Sequence, residues 1–154
     1  MTLSIGDKAP DFSLPGNGGK PINLSDYAGK KLVIFFYPKA STPGCTTEAI
    51  DFTANLATFE ATGCSVIGAS KDSVKRQDNF ITKNDLGVRL VSDEDGAMLE
   101  AYGVWQEKKN YGKTYMGIVR STFLIDEKGC ISQIWDKVRV KGHVDAVLAA
   151  AQGI

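Results

Sequence analysis

The 154 residues predict an α/β fold, a mixed β-sheet with helices on both faces and an N-terminal β-hairpin extension. Three observations lead there. Leu32 to Tyr37 is an unbroken apolar and aromatic run, the composition of a strand buried on both sides. Beyond a loop bracketed by Pro38 and Pro43, residues Ala49, Ile50, Phe52, Leu56 and Phe59 recur at helical spacing. A second strand–helix pair follows, and the chain closes with a hairpin and a last helix.

Taken in order, Asp11–Leu14 and Pro21–Leu24 flank the turn-rich Pro15–Lys20 and predict the small hairpin. Leu24 to Lys30 reads as a short turn into the central strand. The helix that starts near Cys45 is expected to run to Thr62-Gly63. Cys64–Ala69 is a second buried strand, and Ser70–Ser73 offers N-cap chemistry for a helix through Asn84. A short strand is expected near Arg89–Val91 and a helix over Asp95–Tyr102. Gly103 to Gly117 shows neither period and is expected to be a loop. Val119–Asp126 and Cys130–Asp136, joined by Glu127–Gly129, predict a hairpin, and His143–Ala151 a closing helix.

Length and charge narrow the function. The chain is expected to form one domain, large enough to bury roughly 68–70% of its unfolded surface without staples. Eighteen basic side chains balance eighteen acidic ones, so no global field draws in nucleic acid or a membrane surface. No apolar run spans a bilayer, and no secretory signal is visible, so a cytoplasmic setting is expected. Cys45, Cys64 and Cys130 are odd in number, and neither they nor the lone His143 have metal-ligand spacing. No metal and no cofactor are called for.

Cys45 stands where loop becomes helix. Unpaired N–H groups and the positive end of the helix dipole favour a thiolate there over a thiol. Thr42-Pro-Gly-Cys45 looks like a Cys-x-x-Cys motif whose first cysteine is a threonine, and a dithiol carrier cannot cycle with one thiol. A hydroxyl three residues ahead can instead donate to the sulfur or hold a small polar substrate. The strand order with this cysteine-bearing helix matches a thioredoxin-like fold.

The pattern Pro38-x-x-x-Thr42-x-x-Cys45 resembles the active-site signature of peroxiredoxins, and Phe36–Ala49 that of their bacterioferritin-comigratory (PrxQ-type) subfamily. The likeness extends through Gly68–Ser73, Leu90–Asp93, Tyr102–Trp105 and Tyr115–Asp126. It implies a thiol-dependent peroxidase that reduces hydrogen peroxide and organic hydroperoxides. Cys45 would be the peroxidatic cysteine, Thr42 the hydroxyl that orients the peroxide, Pro38 the pocket's shield and Arg120 the thiolate's cationic partner. Donors from Arg120, Thr42 and the Gly44 and Cys45 N–H groups would face the charge on the departing oxygen. Glu48, one turn into the helix, is expected to tether Arg120 or a nearby backbone group.

The positions where subfamily members carry a resolving cysteine hold Ile50 and Ile81 here. Topology sends Cys64 and Cys130 to the far end of the sheet, so a one-cysteine cycle is expected, with an external thiol (thioredoxin, glutaredoxin or glutathione) as reductant. A monomer is expected as well. The competing readings are a thioredoxin-like disulfide reductase and a non-catalytic redox sensor. Cys64, Trp105 and Trp135 read as packing residues, Lys108, Lys109 and Lys113 as a solvated loop, and His143 as a helix-start polar residue.

Overall fold

A computed structural model describes residues 3–154. Its centre is a five-stranded sheet in the order β5-β4-β3-β8-β9. Strand β3 (Lys31–Phe36) lies in the middle and every residue of it is buried, as its unbroken apolar run requires. It pairs in parallel with β4 (Cys64–Ser70), which pairs in parallel with β5 (Arg89–Ser92). On its other side β8 (Ser121–Ile125) runs antiparallel, Phe36 opposite Ser121, and β9 (Ile131–Trp135) closes that edge. β1 (Ser13–Pro15) and β2 (Pro21–Asn23) form the expected N-terminal hairpin.

Alternation along β3 sorts the core into two. Val33, Phe35 and Tyr37 face a cluster built with α1 (Pro43–Ala54), α2 (Leu56–Ala61), α3 (Val74–Asn84) and α5 (His143–Gln152). Leu32, Ile34 and Phe36 face the second cluster, covered by α4 (Ala97–Ala101) and by Ala9 and Phe12 of the N-terminal segment. Phe52 of α1 stacks on Phe35 with ring centroids 4.6 Å apart and anchors that helix to the strand. Buried Lys31 donates from Nζ to the Ala151 carbonyl at 3.0 Å, placing a cation at the C-terminal end of α5.

Two expectations need correction. The helix after Cys45 does not run unbroken: Asn55 leaves helical geometry at φ −103°, ψ 5°, and its side chain donates to the Asp51 carbonyl. Gly103 to Gly117 is no loop either. β6 (Trp105–Asn110) and β7 (Lys113–Ile118) form an antiparallel ribbon, turned by Tyr111 and Gly112 at φ 51° and 76°, the signature of a type I′ hairpin. The alternation was invisible because most of this ribbon is exposed, so no face of it selects apolar residues.

Candidate active site

Cys45 is the third residue of α1, behind Pro43, whose fixed φ suits the first helical turn. The first backbone bond of the helix runs from the Thr46 N–H to the Thr42 carbonyl at 2.9 Å, so the N–H groups of Gly44 and Cys45 precede the ladder. The sulfur itself is fully buried. An anion there has little water around it and depends on its partners.

The principal partner comes from the far side of the central strand pair. Arg120 immediately precedes β8, and the antiparallel register brings it level with the end of β3. Its Nη2 donates to Cys45 Sγ at 3.2 Å and its Nη1 to Glu48 Oε1 at 2.8 Å. The planar fork spans both acceptors at once. Gly44 makes the approach possible: a β-carbon there would meet Nη2 at 3.1 Å. Burial of Arg120 opposes its charge, yet Glu48 and Cys45 outweigh this and hold the guanidinium above its ordinary range.

Thr42 caps α1 in extended geometry, but its hydroxyl does not reach the sulfur. Oγ1 donates to the Lys39 carbonyl at 2.8 Å. Its one proton is thereby committed within the loop, which leaves the oxygen only acceptor capacity where a donor was expected. Pro38 lies two residues past the end of β3 and lines a cavity of about 360 Å³ with Lys39, Lys71, Asp72, Ser73 and Arg76. The loop is pinned from beneath: the Ala40 N–H donates to buried Asp72 Oδ2 at 2.7 Å, and Ser70 Oγ donates to the same oxygen at 2.7 Å.

Comparison with known proteins identifies the family. Residues 5–134 match the AhpC/TSA family. The chain belongs to that family. Peroxiredoxin Bcp of Bacillus subtilis is 49% identical over 148 residues, covering 96% of this chain and 94% of that one. Peroxiredoxin Bcp of Xanthomonas campestris is 51% identical over 140 residues, with 91% and 88% covered. Among solved structures, Xanthomonas campestris peroxiredoxin Q superposes with a TM-score of 0.88 at 50% identity, over 92% of this chain and 90% of that one. A Xylella fastidiosa PrxQ variant reaches a TM-score of 0.94 at 38% identity, over 99% and 98%. The chain is thus a peroxiredoxin, a thiol-dependent peroxidase with a thioredoxin-like fold.

Within this peroxiredoxin the cysteines occupy two poles. Cys64 pairs with Lys31 at the start of β3, five residues before Phe36, or about 17 Å along the strand. Cys130 bridges to Lys8, just past the end of β8 where Ile125 pairs with Leu32. Burial pushes the Cys64 thiol up to about 11. Its side chain packs in the core cluster on the helix-covered face of β3. Ile50 and Ile81, on α1 and α3, are exposed and half-buried.

Glu48 tethers Arg120 as expected, but its surroundings were not anticipated. The carboxyl is wholly buried, and that burial, only partly offset by Arg120, pushes it up to about 7. His143 does start α5, as expected, but it is not a peripheral residue. It lies beneath the site, 7% exposed, with Nε2 2.8 Å from Thr122 Oγ1 and 4.0 Å from Glu48 Oε2. Burial, helped by the Arg120 charge, lowers it to about 4, so the ring is neutral at neutral pH. Thr122 is likewise fully buried. No local pattern joins these residues; a lone histidine after Gly142 gives no sign of meeting a helix 95 residues earlier in the chain. Among the described residues no group of metal-ligating side chains is assembled, and no helix is long and apolar enough to cross a membrane.

Proposed function

We propose that this peroxiredoxin runs a one-cysteine cycle on hydrogen peroxide and organic hydroperoxides. The observation that carries the site reading is the Arg120 fork, 3.2 Å from Cys45 Sγ and 2.8 Å from Glu48 Oε1 at the start of α1. The thiolate attacks the terminal peroxide oxygen in line. The O–O bond breaks, its electron pair leaves with the alkoxide or hydroxide, which takes up a proton, and Cys45 becomes a sulfenic acid. Arg120 and the N–H groups of Gly44 and Cys45 face the developing charge, as an oxyanion hole does. Thr42 Oγ1 accepts from the peroxide O–H, and Pro38 shields the pocket. Arg120 is held by Glu48.

The second half of the cycle uses an outside thiol. One thiol displaces water from the sulfenic acid to give a mixed disulfide, and a second thiol releases Cys45 and leaves as the disulfide. Two facts favour this over an internal resolver. Cys64 and Cys130 sit at the opposite pole, whereas a disulfide needs Cα atoms within about 7 Å. Solved structures of the Xanthomonas campestris relative carry serine in place of two different cysteines thirty-six positions apart, and the same spacing from Cys45 falls on Ile81. One solved structure of that relative concerns alkyl peroxide reduction, which fits organic hydroperoxides as substrates. We read the reductant as thioredoxin, glutaredoxin or glutathione, the chain as a monomer, and its setting as the cytoplasm, in keeping with its free cysteines.

Mass spectrometry after one equivalent of peroxide tests the cycle. The expected product is Cys45 sulfenic acid, trapped by a dimedone-type reagent. An intrachain Cys45–Cys64 or Cys45–Cys130 disulfide would end the one-cysteine reading. Steady-state turnover with each of the three reductants then identifies the partner thiol, and an insulin-reduction assay should be negative.

A further inference from the structure

The buried carboxyl of Glu48 is only half accounted for by Arg120. Oε1 accepts from Nη1, but Oε2 is buried and has no hydrogen-bond partner among the described residues. An unpartnered carboxylate oxygen in the core is costly, and the structure should contain whatever it faces. The polar atom opposite is His143 Nε2, at 4.0 Å. That ring is fixed on every side: Thr122 Oγ1 holds Nε2 at 2.8 Å, and Phe52 and Trp135 meet it edge-on with centroids 6.3 and 5.9 Å away.

We propose that His143, seated on Thr122, is a positioning residue for peroxide reduction: it faces the second oxygen of Glu48 and so keeps Arg120 aimed at Cys45. The chain of contacts crosses the site from α5 through β8 to α1, and each member is buried or nearly so. The charged and titratable groups acting on the ring are Glu48 of α1 and Arg120 ahead of β8, with Asp51 acting on Glu48 and Asp145 of its own helix exposed to solvent. The ring is neutral at working pH; with its proton on Nε2 it donates to Thr122 Oγ1 and turns the positive end of that N–H dipole toward Glu48 Oε2, without competing with Arg120 for its charge. Removing the ring leaves Oε2 against apolar side chains. Glu48 then holds its proton to higher pH, and Arg120 loses its charged tether.

This inference rests on Cys45 and Arg120 being the reacting pair. The test compares His143→Leu, Thr122→Val and His143→Gln with wild type. The rate of Cys45 oxidation by an alkyl hydroperoxide is measured against pH and divided by the thiolate fraction from ultraviolet absorbance. The Leu and Val variants should lose about tenfold at neutral pH, with the midpoint of the rise moved up by about one pH unit. His143→Gln should return toward wild type. Wild-type profiles in both the Leu and Val variants would overturn the inference alone. So would a loss that merely follows the folded fraction with an unmoved midpoint. Thr122→Val, nearly isosteric, decides the matter if the Leu variant does not fold. Full activity in Arg120→Ala would instead bring down the site reading, and this inference with it.

Discussion

Replacing Arg120 by alanine removes both arms of the fork at once. At 3.2 Å the guanidinium–thiolate attraction is about 5 kcal/mol gross at an effective dielectric of about 20. Desolvation of the pair and exchange with water reduce the net to the roughly 1.5–3 kcal/mol of a charged hydrogen bond. The same donor also faces the departing oxygen, and loss of one oxyanion-hole donor costs about 2.7–4 kcal/mol. The expected result is a drop in kcat/KM for peroxide of about 10²–10³-fold. The folded state should suffer less than a stranded buried charge implies. Glu48 is already pushed up to about 7, and without Arg120 it rises further and simply keeps its proton. Arg120→Lys keeps a charge but cannot span Sγ and Oε1 together, so it should recover only a small part of the rate. Stopped-flow oxidation of Cys45 with excess reductant reads the effect. A rate within threefold of wild type in Arg120→Ala would refute the argument.

Cys45→Ser should abolish peroxide consumption with every reductant, whereas Cys64→Ser and Cys130→Ser together should leave turnover intact. Phe52→Ala, at a fully buried ring stacked on Phe35, should cost about 3–5 kcal/mol in denaturant unfolding. Asp72→Asn weakens the acceptor that holds Ala40; kcat/KM should fall and amide exchange at Ala40 should quicken, while an unchanged exchange rate would count against the loop clamp. The pH dependence of stability has a definite sign for each buried group. His143 is lowered from 6.5 to about 4, so its contribution is present above 6.5 and is lost as pH falls toward 4. Glu48 is raised from 4.5 to about 7, so the native state binds the extra proton, and stability falls as pH rises from 4.5 to 7. The two nearly oppose each other between 4.5 and 6.5. Glu48→Gln should therefore show unfolding free energy that rises with pH over that window, and His143→Gln one that falls.

Much of this protein was legible along the chain because the relevant signals are local. The composition of the run Leu32–Tyr37 favours a strand buried on both faces, and β3 is buried throughout. Ser73 caps α3 by accepting from the Arg76 N–H, as its side chain and position imply. Pro43 and the apolar spacing after it locate Cys45 in the first turn of a helix, which is enough to mark it as an anion site. Strand direction put Arg120 at the Cys45 end of the sheet, and there its guanidinium donates to Glu48, one of the two partners open to that carboxyl.

What the chain order did not disclose depends on partners distant in sequence. The β6–β7 ribbon lies largely in solvent, so nothing imposed the alternation by which strands are recognised. Thr42 turned its proton to a backbone carbonyl within its own loop, a choice set by loop geometry rather than residue type. Above all, the polar support beneath the site joins Glu48, Thr122 and His143 from separate elements. In sequence they are a helix glutamate, a strand threonine and a histidine after a glycine. Only packing removes them from water, and burial is what moves the carboxyl to about 7 and the imidazole to about 4. Residue order determined where a reactive sulfur would stand; tertiary structure decided what surrounds its counterion, because desolvation belongs to the packed molecule and to no segment of it.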